Sequence, residues 1–173
     1  MIKLSLPIAQ EEIKNLKAGD TVLLSGVIYT ARDAAHKRLT ALIQNNQPLP
    51  FELKGSAIYY AGPCPTKPGR IFGSCGPTTS GRMNAYAPLL FDLGVQCTIG
   101  KGPLSQEVLD AIVRNRAVYF CATGGAGALI TKCVKSAQII AFEDLGAEAV
   151  NKLEVVDMPV IVGIDSYGNN IIK

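Results

Sequence analysis

The chain of 173 residues contains no tryptophan, one histidine and five cysteines, and each scarcity closes off a class of chemistry. A lone histidine, His36, leaves no Ser-His-Asp signature and no histidine pair for a metal. Cys64, Cys75, Cys97, Cys121 and Cys133 are odd in number and never spaced as C-x-x-C, so neither a disulfide framework nor a self-contained zinc or cluster site is signalled. Buried free thiols are the expectation. Charged residues make up only 18% of the chain and the net charge is +3, with Lys and Arg spread along it, which argues against nucleic acid as the main partner. The longest apolar runs, such as "MPVIVGI", fall far short of the roughly 18 residues that a membrane span needs. The opening "MIKLSLPIAQEEIKNLK" lacks a signal-peptide core, so no membrane association and a cytoplasmic location are expected.

What the chain has in quantity is apolar residues, 48% of the total, enough for a real core in one domain spanning residues 1–173. "TVLLSGVIY" reads as a strand and Arg32 to Gln44 as a helix with Ala35, Leu39, Leu42 and Ile43 on one face. Pro48, Pro50, Pro63, Pro65, Pro68 and Pro77 brace a long loop region that holds one short strand at most. From Ser80 to Leu93 the pattern predicts a helix ended by Gly94. Then come a strand "VQCTI", a helix over Ser105 to Asn115 with Ser105 as N-cap and Leu104 and Leu109 at staple spacing, and a strand "AVYFCAT". A glycine turn, a helix in "GALITKCV", a strand "AQIIAF" and a closing hairpin turned at Gly168 and Asn169 complete the chain. The β-α-β-α-β order predicts an α/β fold with a central mixed sheet flanked by helices.

The stretch "GSCGPTTSGRM" gathers Thr78, Thr79 and Ser80 around Arg82, directly before the predicted helix. Outward N–H groups, hydroxyls and a planar guanidinium make an anion-binding end, equally suited to a carboxylate or a phosphate. No Gly-Lys-Ser/Thr follows, so it is no P-loop. The same stretch also reads as a well-capped helix with a solvated arginine, and spacing does not separate the two. In "YTARDAAHKRL", Asp33 suits the positive end of a helix while Arg32 does not; a ligand at the strand end would account for it, and so would a plain surface arginine, the reading that the residue on its own favours. His36 reads as a hydrogen-bonded structural residue or as an orienter of its neighbours. Lys101, between glycines in "TIGKGPLS", is free of neighbouring bulk, and Gly124, Gly125 and Gly127 in "CATGGAGAL" read as a close-packing turn. Cations, hydroxyls and amides can bind a dianion but make a poor enzyme alone.

"SGVIYTARDAAHKRL", "IYYAGP", "GPTTSGRMNAY", "GKG" and "AVYFCATGGAGALI" with the closing "EDLGAEAVNKLEVVDMPVIVGIDSYGNN" resemble the C-terminal catalytic domain, or separate β subunit, of class I iron-sulfur fumarate hydratases and L(+)-tartrate dehydratases. The resemblance runs over nearly the whole chain. It implies a swivelling β/β/α domain and a partner α subunit, in an α2β2 assembly, that carries a [4Fe-4S] cluster on three cysteines. It places the substrate-carboxylate arginines on Arg32 and Arg82, the active-site lysine on Lys101 and the proposed catalytic base on Thr78. The chain departs from the family where alanine is common at Ser80 and aspartate at Asn84, so neither is offered as catalytic. The implied reaction is reversible hydration of fumarate to (S)-malate, a step of the tricarboxylic acid cycle, with the cluster's open iron as Lewis acid. A tartrate dehydratase β subunit, or a non-catalytic carboxylate-binding module on the same fold, are the alternatives.

Overall fold

The computed structural model describes residues 1–122 and 127–172. Strand β1 (Ile2–Ser5) and a short helix α1 (Gln10–Asn15) precede β2 (Thr21–Thr30), which hands over to α2 (Asp33–Gln44). After the proline-braced loop come β3 (Ala57–Tyr59), a single 3₁₀ turn (Ser80–Met83), α3 (Ala87–Asp92), β4 (Cys97–Gly100), α4 (Gln106–Asn115) and β5 (Val118–Cys121). The rest is α5 (Gly127–Thr131), β6 (Val134–Ala141), a 3₁₀ segment (Glu143–Glu148) and the 15-residue β7 (Val150–Ile164). The chain is thus α/β with a mixed sheet flanked by helices. Among the described residues no helix is long and apolar enough to cross a membrane.

β2, β3, β4 and β5 pair in parallel, in that order. β7 runs antiparallel to both β2 and β5, so the sheet closes on itself into a five-strand ring. β1 extends one edge of β2, and β6 lies on β7 beyond the end of β5. Side-chain alternation divides the core in two. Ala57, Tyr59, Ile99, Val118 and Phe120 face the ring interior with Val22, Leu24 and Val160, while Ile58, Tyr60 and Tyr119 face the helices. There they meet Leu39 of α2, Leu90 and Phe91 of α3, and Val108 and Ile112 of α4. Strands this short and buried on both faces read as unbroken apolar runs. Each fully buried side chain of this size contributes about 1.5–3 kcal/mol of apolar transfer.

The Ser105 cap forms, its Oγ accepting from Val108 N at 3.4 Å, and Leu104 and Leu109 both pack on the helix-side core. The turn at Gly168 forms as well, with Gly168 N donating to Asp165 O. One expectation fails. The helix predicted from Ser80 to Leu93 is broken at residues 84–86, because Pro88 cannot donate to the carbonyl of Asn84 and its ring clashes there. The closing hairpin forms, with Ile164 bridging antiparallel to Asn170 and Ile171 N donating to Gly163 O, and its first arm is the end of the longer strand β7, which begins at Val150 and pairs with three other strands. The proposed turn at Gly124 and Gly125 lies outside the described residues.

Gly94 ends α3 at φ +107°, and a Cβ there would stand 2.9 Å from Lys54 Cα. Gly19 has φ +98° but open space around it. Gly94→Ala is therefore expected to cost about 2–3 kcal/mol and Gly19→Ala about 1 kcal/mol. Thermal melts will show Tm losses of about 4–12 °C and 2–4 °C respectively; equal losses would contradict the steric part.

Candidate functional site

Parallel strands end on one side of a sheet, and in α/β folds that side gathers ligands. Here β2 runs out into Arg32, β3 into Tyr60, Ala61 and Gly62, and β4 into Lys101. Residues 77–83 lie across these ends. Pro77 bridges to Ala61 and Thr79 to Lys101, while Thr78 N donates to Tyr60 O at 2.7 Å and Ser80 N to Lys101 O at 2.8 Å. Arg32, Thr78, Arg82 and Lys101, from three separate stretches of sequence, are thereby brought to the same edge.

The anion-binding helix end inferred from "GPTTSGRM" does not form. Residues 80–83 make one 3₁₀ turn with no side-chain cap, and the N–H groups of Thr78 and Ser80 are already bonded. Ser80 is fully buried, and Asn84 Oδ1 accepts from Ser105 N at 3.2 Å, serving the entry to α4. Half-buried Thr78 and exposed Thr79 keep hydroxyls near the edge. What the stretch offers a ligand is side chains rather than helix amides.

Arg32 occupies the N-cap of α2, one residue before the expected first turn, where a cation opposes the helix dipole. One carboxylate stands close to it. Glu148 Oε1 lies 4.0 Å from Arg32 Nε and accepts from Ala34 N at 3.2 Å. Its 3₁₀ segment is tied to α2 by Arg38, whose Nη1 donates to Asp144 at 2.8 Å and whose guanidinium lies over Phe142. Asp33 Oδ2 accepts from Arg82 Nε at 2.9 Å, so the two arginines are joined through the residue that follows Arg32. Among the described residues this is the one side-chain hydrogen bond of Arg82, whose side chain is 53% exposed. Arg32 Nε and Asp33 Oδ1, both buried, have no hydrogen-bond partner. The Arg32 side chain lies on Gly62, where a Cβ would be 3.1 Å from Arg32 Cδ and 2.6 Å from the Ala147 carbonyl. The edge thus holds two guanidiniums with unspent donors and an exposed ammonium, Lys101, against partly engaged carboxylates.

His36 is fully buried behind this edge, its ring edge-on to Tyr60 and tilted against Tyr86. Its Nδ1 lies 2.8 Å from Arg32 O, and since a carbonyl only accepts, Nδ1 carries the proton. Nε2 then bears a lone pair with no partner. Burial pushes the imidazole down to about 4, against the opposing pull of the Arg32 carbonyl and Asp33. His36 is a neutral strut for the Arg32 backbone, as one of its sequence readings had it. Among the cysteines, Cys75 and Cys97 are buried with thiols pushed up to about 12 by desolvation, while Cys64 is exposed and Cys121 and Cys133 are partly buried. Sequence reasoning missed the joining role of Asp33, visible there only as a dipole match, and Glu148, which carries no local signal.

The Fumarase C-terminus family profile matches residues 1–173. The chain is 39% identical to fumarate hydratase 2 of Leishmania major over 93% of its own length and 29% of that protein's. It is 40% identical to the anaerobic class I fumarate hydratase of Escherichia coli over 85% of its length and 27% of that protein's. A protein of Methanocaldococcus jannaschii, provisionally named an L(+)-tartrate dehydratase β subunit, is 41% identical over 95% of this chain and 87% of that protein. The chain therefore spans less than a third of the two fumarate hydratases and most of the β subunit.

Because His36 is held near 4 in the folded chain and titrates near 6.5 when unfolded, the unfolded state binds the extra proton between those values. The stability it confers is fully present above about pH 6.5 and is lost as pH falls towards 4, on the order of 3 kcal/mol. Denaturant melts at pH 7, 5 and 4 should show that fall reduced by this amount in His36→Gln, whatever its stability at pH 7. Parallel falls in both proteins would refute it.

Proposed function

Since this chain belongs to the fumarase C-terminus family, we propose that it is the β subunit of a two-subunit class I fumarate hydratase, catalysing reversible hydration of fumarate to (S)-malate. In this reading residues 1–173 act as one swivelling β/β/α unit against a cluster-bearing α subunit, in a cytoplasmic α2β2 assembly. The observation that carries it is the meeting of Arg32 and Arg82, joined through Asp33 and with donors still unspent, beside Thr78 and Lys101 at one strand edge. Two guanidiniums at one edge suit a ligand with two carboxylates, each able to take a bidentate contact.

Among the described residues no group of three or more His, Cys, Asp or Glu is arranged to hold a metal, so a [4Fe-4S] cluster has no seat among them. The cluster is assigned to the partner, and no step through it is derived. This chain's share begins with binding. Arg32 positions one carboxylate and Arg82 the other, which fixes the substrate's long axis. Thr78 exchanges the C3 proton, delivering it in hydration and accepting it in dehydration. A threonine hydroxyl holds its proton far above neutral pH, so the positive field of Arg82 and Lys101 is what lets it act. The same cations stabilise the charge that develops on the neighbouring carboxylate as the C3–H bond is made or broken.

An L(+)-tartrate dehydratase β subunit is the second reading, favoured by one observation: the relative that this chain covers almost end to end carries that name. Both reactions add or remove water next to a carboxylate, and Arg32, Thr78, Arg82 and Lys101 serve either.

The test is steady-state kinetics, with fumarate and with tartrate, on the chain reconstituted anaerobically with a cognate cluster-bearing subunit. Thr78→Ala should lower kcat by roughly 10²–10⁴-fold with KM little changed. Arg82→Ala should raise KM and lower kcat together, and Arg82→Lys should recover only part of the loss, because a point charge does not reproduce the fork. Near-normal turnover by Thr78→Ala would remove the catalytic assignment, and carboxylate binding without turnover in the reconstituted wild type would favour a binding module.

A further inference from the structure

Lys101 stands between Gly100 and Gly102, so its immediate neighbours contribute no side chain to hold it. Both of its backbone polar groups are instead taken by one residue. Lys101 N donates to Ser80 Oγ at 3.0 Å, and Lys101 O accepts from Ser80 N at 2.8 Å. Ser80 is fully buried, and its Oγ lies 2.8 Å from Tyr119 Oη in the middle of β5. Tyr119 Oη is in turn 3.0 Å from Gly102 O.

Counting protons fixes the direction of this chain. A backbone N–H only donates and a carbonyl only accepts, while Ser80 and Tyr119 have one hydroxyl proton each. Had Tyr119 given its proton to Ser80, the Gly102 carbonyl would lose its donor, and the Ser80 proton would have no acceptor among these groups. The arrangement that satisfies every contact runs from Lys101 N–H to Ser80 Oγ, from the Ser80 hydroxyl to Tyr119 Oη, and from the Tyr119 hydroxyl to Gly102 O. Burial pushes the Tyr119 phenol far above its ordinary range, so it keeps its proton throughout the working pH range. The fit is close: a Cβ on Gly100 would stand 1.9 Å from Ser80 Oγ and 2.9 Å from the Tyr60 ring. Gly102 sits at φ +80°, in the region that glycine enters without strain.

Among the described residues the relay starts and ends on the backbone of residues 101 and 102, with the Cys121 thiol beside the Tyr119 hydroxyl. A tyrosine needing only a partner for its hydroxyl would be satisfied by one carbonyl. We infer that Tyr119 and Ser80 are positioning residues for Lys101, forming a buried hydroxyl relay that sets where the lysine backbone stands and hence where its ammonium meets the substrate. The inference rests on the reading of Lys101 as an active-site residue and adds the device that aims it. Because the relay is buried and complete within this chain, it is set before any partner docks.

The test is a double-mutant cycle on the reconstituted enzyme. Tyr119→Phe keeps the ring and removes one oxygen, and should lower kcat on the order of tenfold, since small misplacements of an active-site group are costly. In a Lys101→Ala background the same change should alter kcat by less than about twofold, because the group it aims is gone. An equal loss in both backgrounds, or no loss in the wild type, would overturn the inference. Ser80→Ala, which opens the relay at its centre without touching the ring, should reproduce the pattern and serves if Tyr119→Phe does not fold. A second readout is independent of turnover: the rate at which an amine-reactive probe labels Lys101 in the isolated chain, followed by mass spectrometry. That rate should shift several-fold in Tyr119→Phe while exposed Lys3 and Lys152 label as before, and an unchanged rate would count against the relay. If Lys101→Ala leaves turnover intact, the functional reading fails instead, and the labelling rate still decides whether the relay aims Lys101.

Discussion

The antiparallel pairing of β7 with β2 is the constraint on which the site depends. It runs from Thr21 opposite Ile161 to Tyr29 opposite Lys152, with a bulge near Ser25 where Gly26 passes Leu6 with no room for a side chain. On its other edge β7 carries β6 and then β5, so one strand closes the ring and holds its outer flap. Being antiparallel, it starts where β2 ends: Thr30 Oγ bonds both Ala149 O and Asn151 N. The residues just before it, Ala147 and Glu148, are thereby delivered to the entry of α2, against Gly62 and Arg32.

Closure also explains how cations stand together at an edge that would repel them. Arg32 faces the helix dipole the wrong way, and Glu148 at 4.0 Å between partly exposed groups compensates only weakly. The firmer bond, Asp33 to Arg82, consumes one donor of a five-donor guanidinium and fixes its plane. Behind them a neutral His36 adds a hydrogen bond without adding charge, because desolvation holds its proton affinity down. Buried polar atoms left unpaired at Arg32, Asp33 and His36 cost stability.

Lys101 and Thr78 are organised differently from the arginines. They are held through backbone pairing across β3, β4 and residues 77–80, and two hydroxyls supply the final constraint. Rigid strand ends fix the position of a side chain better than a free loop does. Ser80, discounted in sequence because it departs from the alanine of similar proteins, is the residue that binds both polar groups of Lys101.

The sequence alone determined what local rules govern. Apolar periodicity gave β2, α2 and α4, Ser105 gave its cap, and Gly94 the end of α3, because each depends on neighbours within a turn or two. Motif likeness marked Arg32, Thr78, Arg82 and Lys101, though from spacing alone "GPTTSGRM" read as a helix end that does not exist. Tertiary structure decided what depends on distant partners: β7 as one long strand closing a ring, Glu148 near Arg32, Asp33 on Arg82, and Tyr119 on Ser80 and Gly102. A strand's pairing partners and a hydroxyl's acceptor are chosen by three-dimensional neighbours up to 147 residues apart in sequence, as Ala18 N on Asp165 shows, and no local pattern encodes that choice.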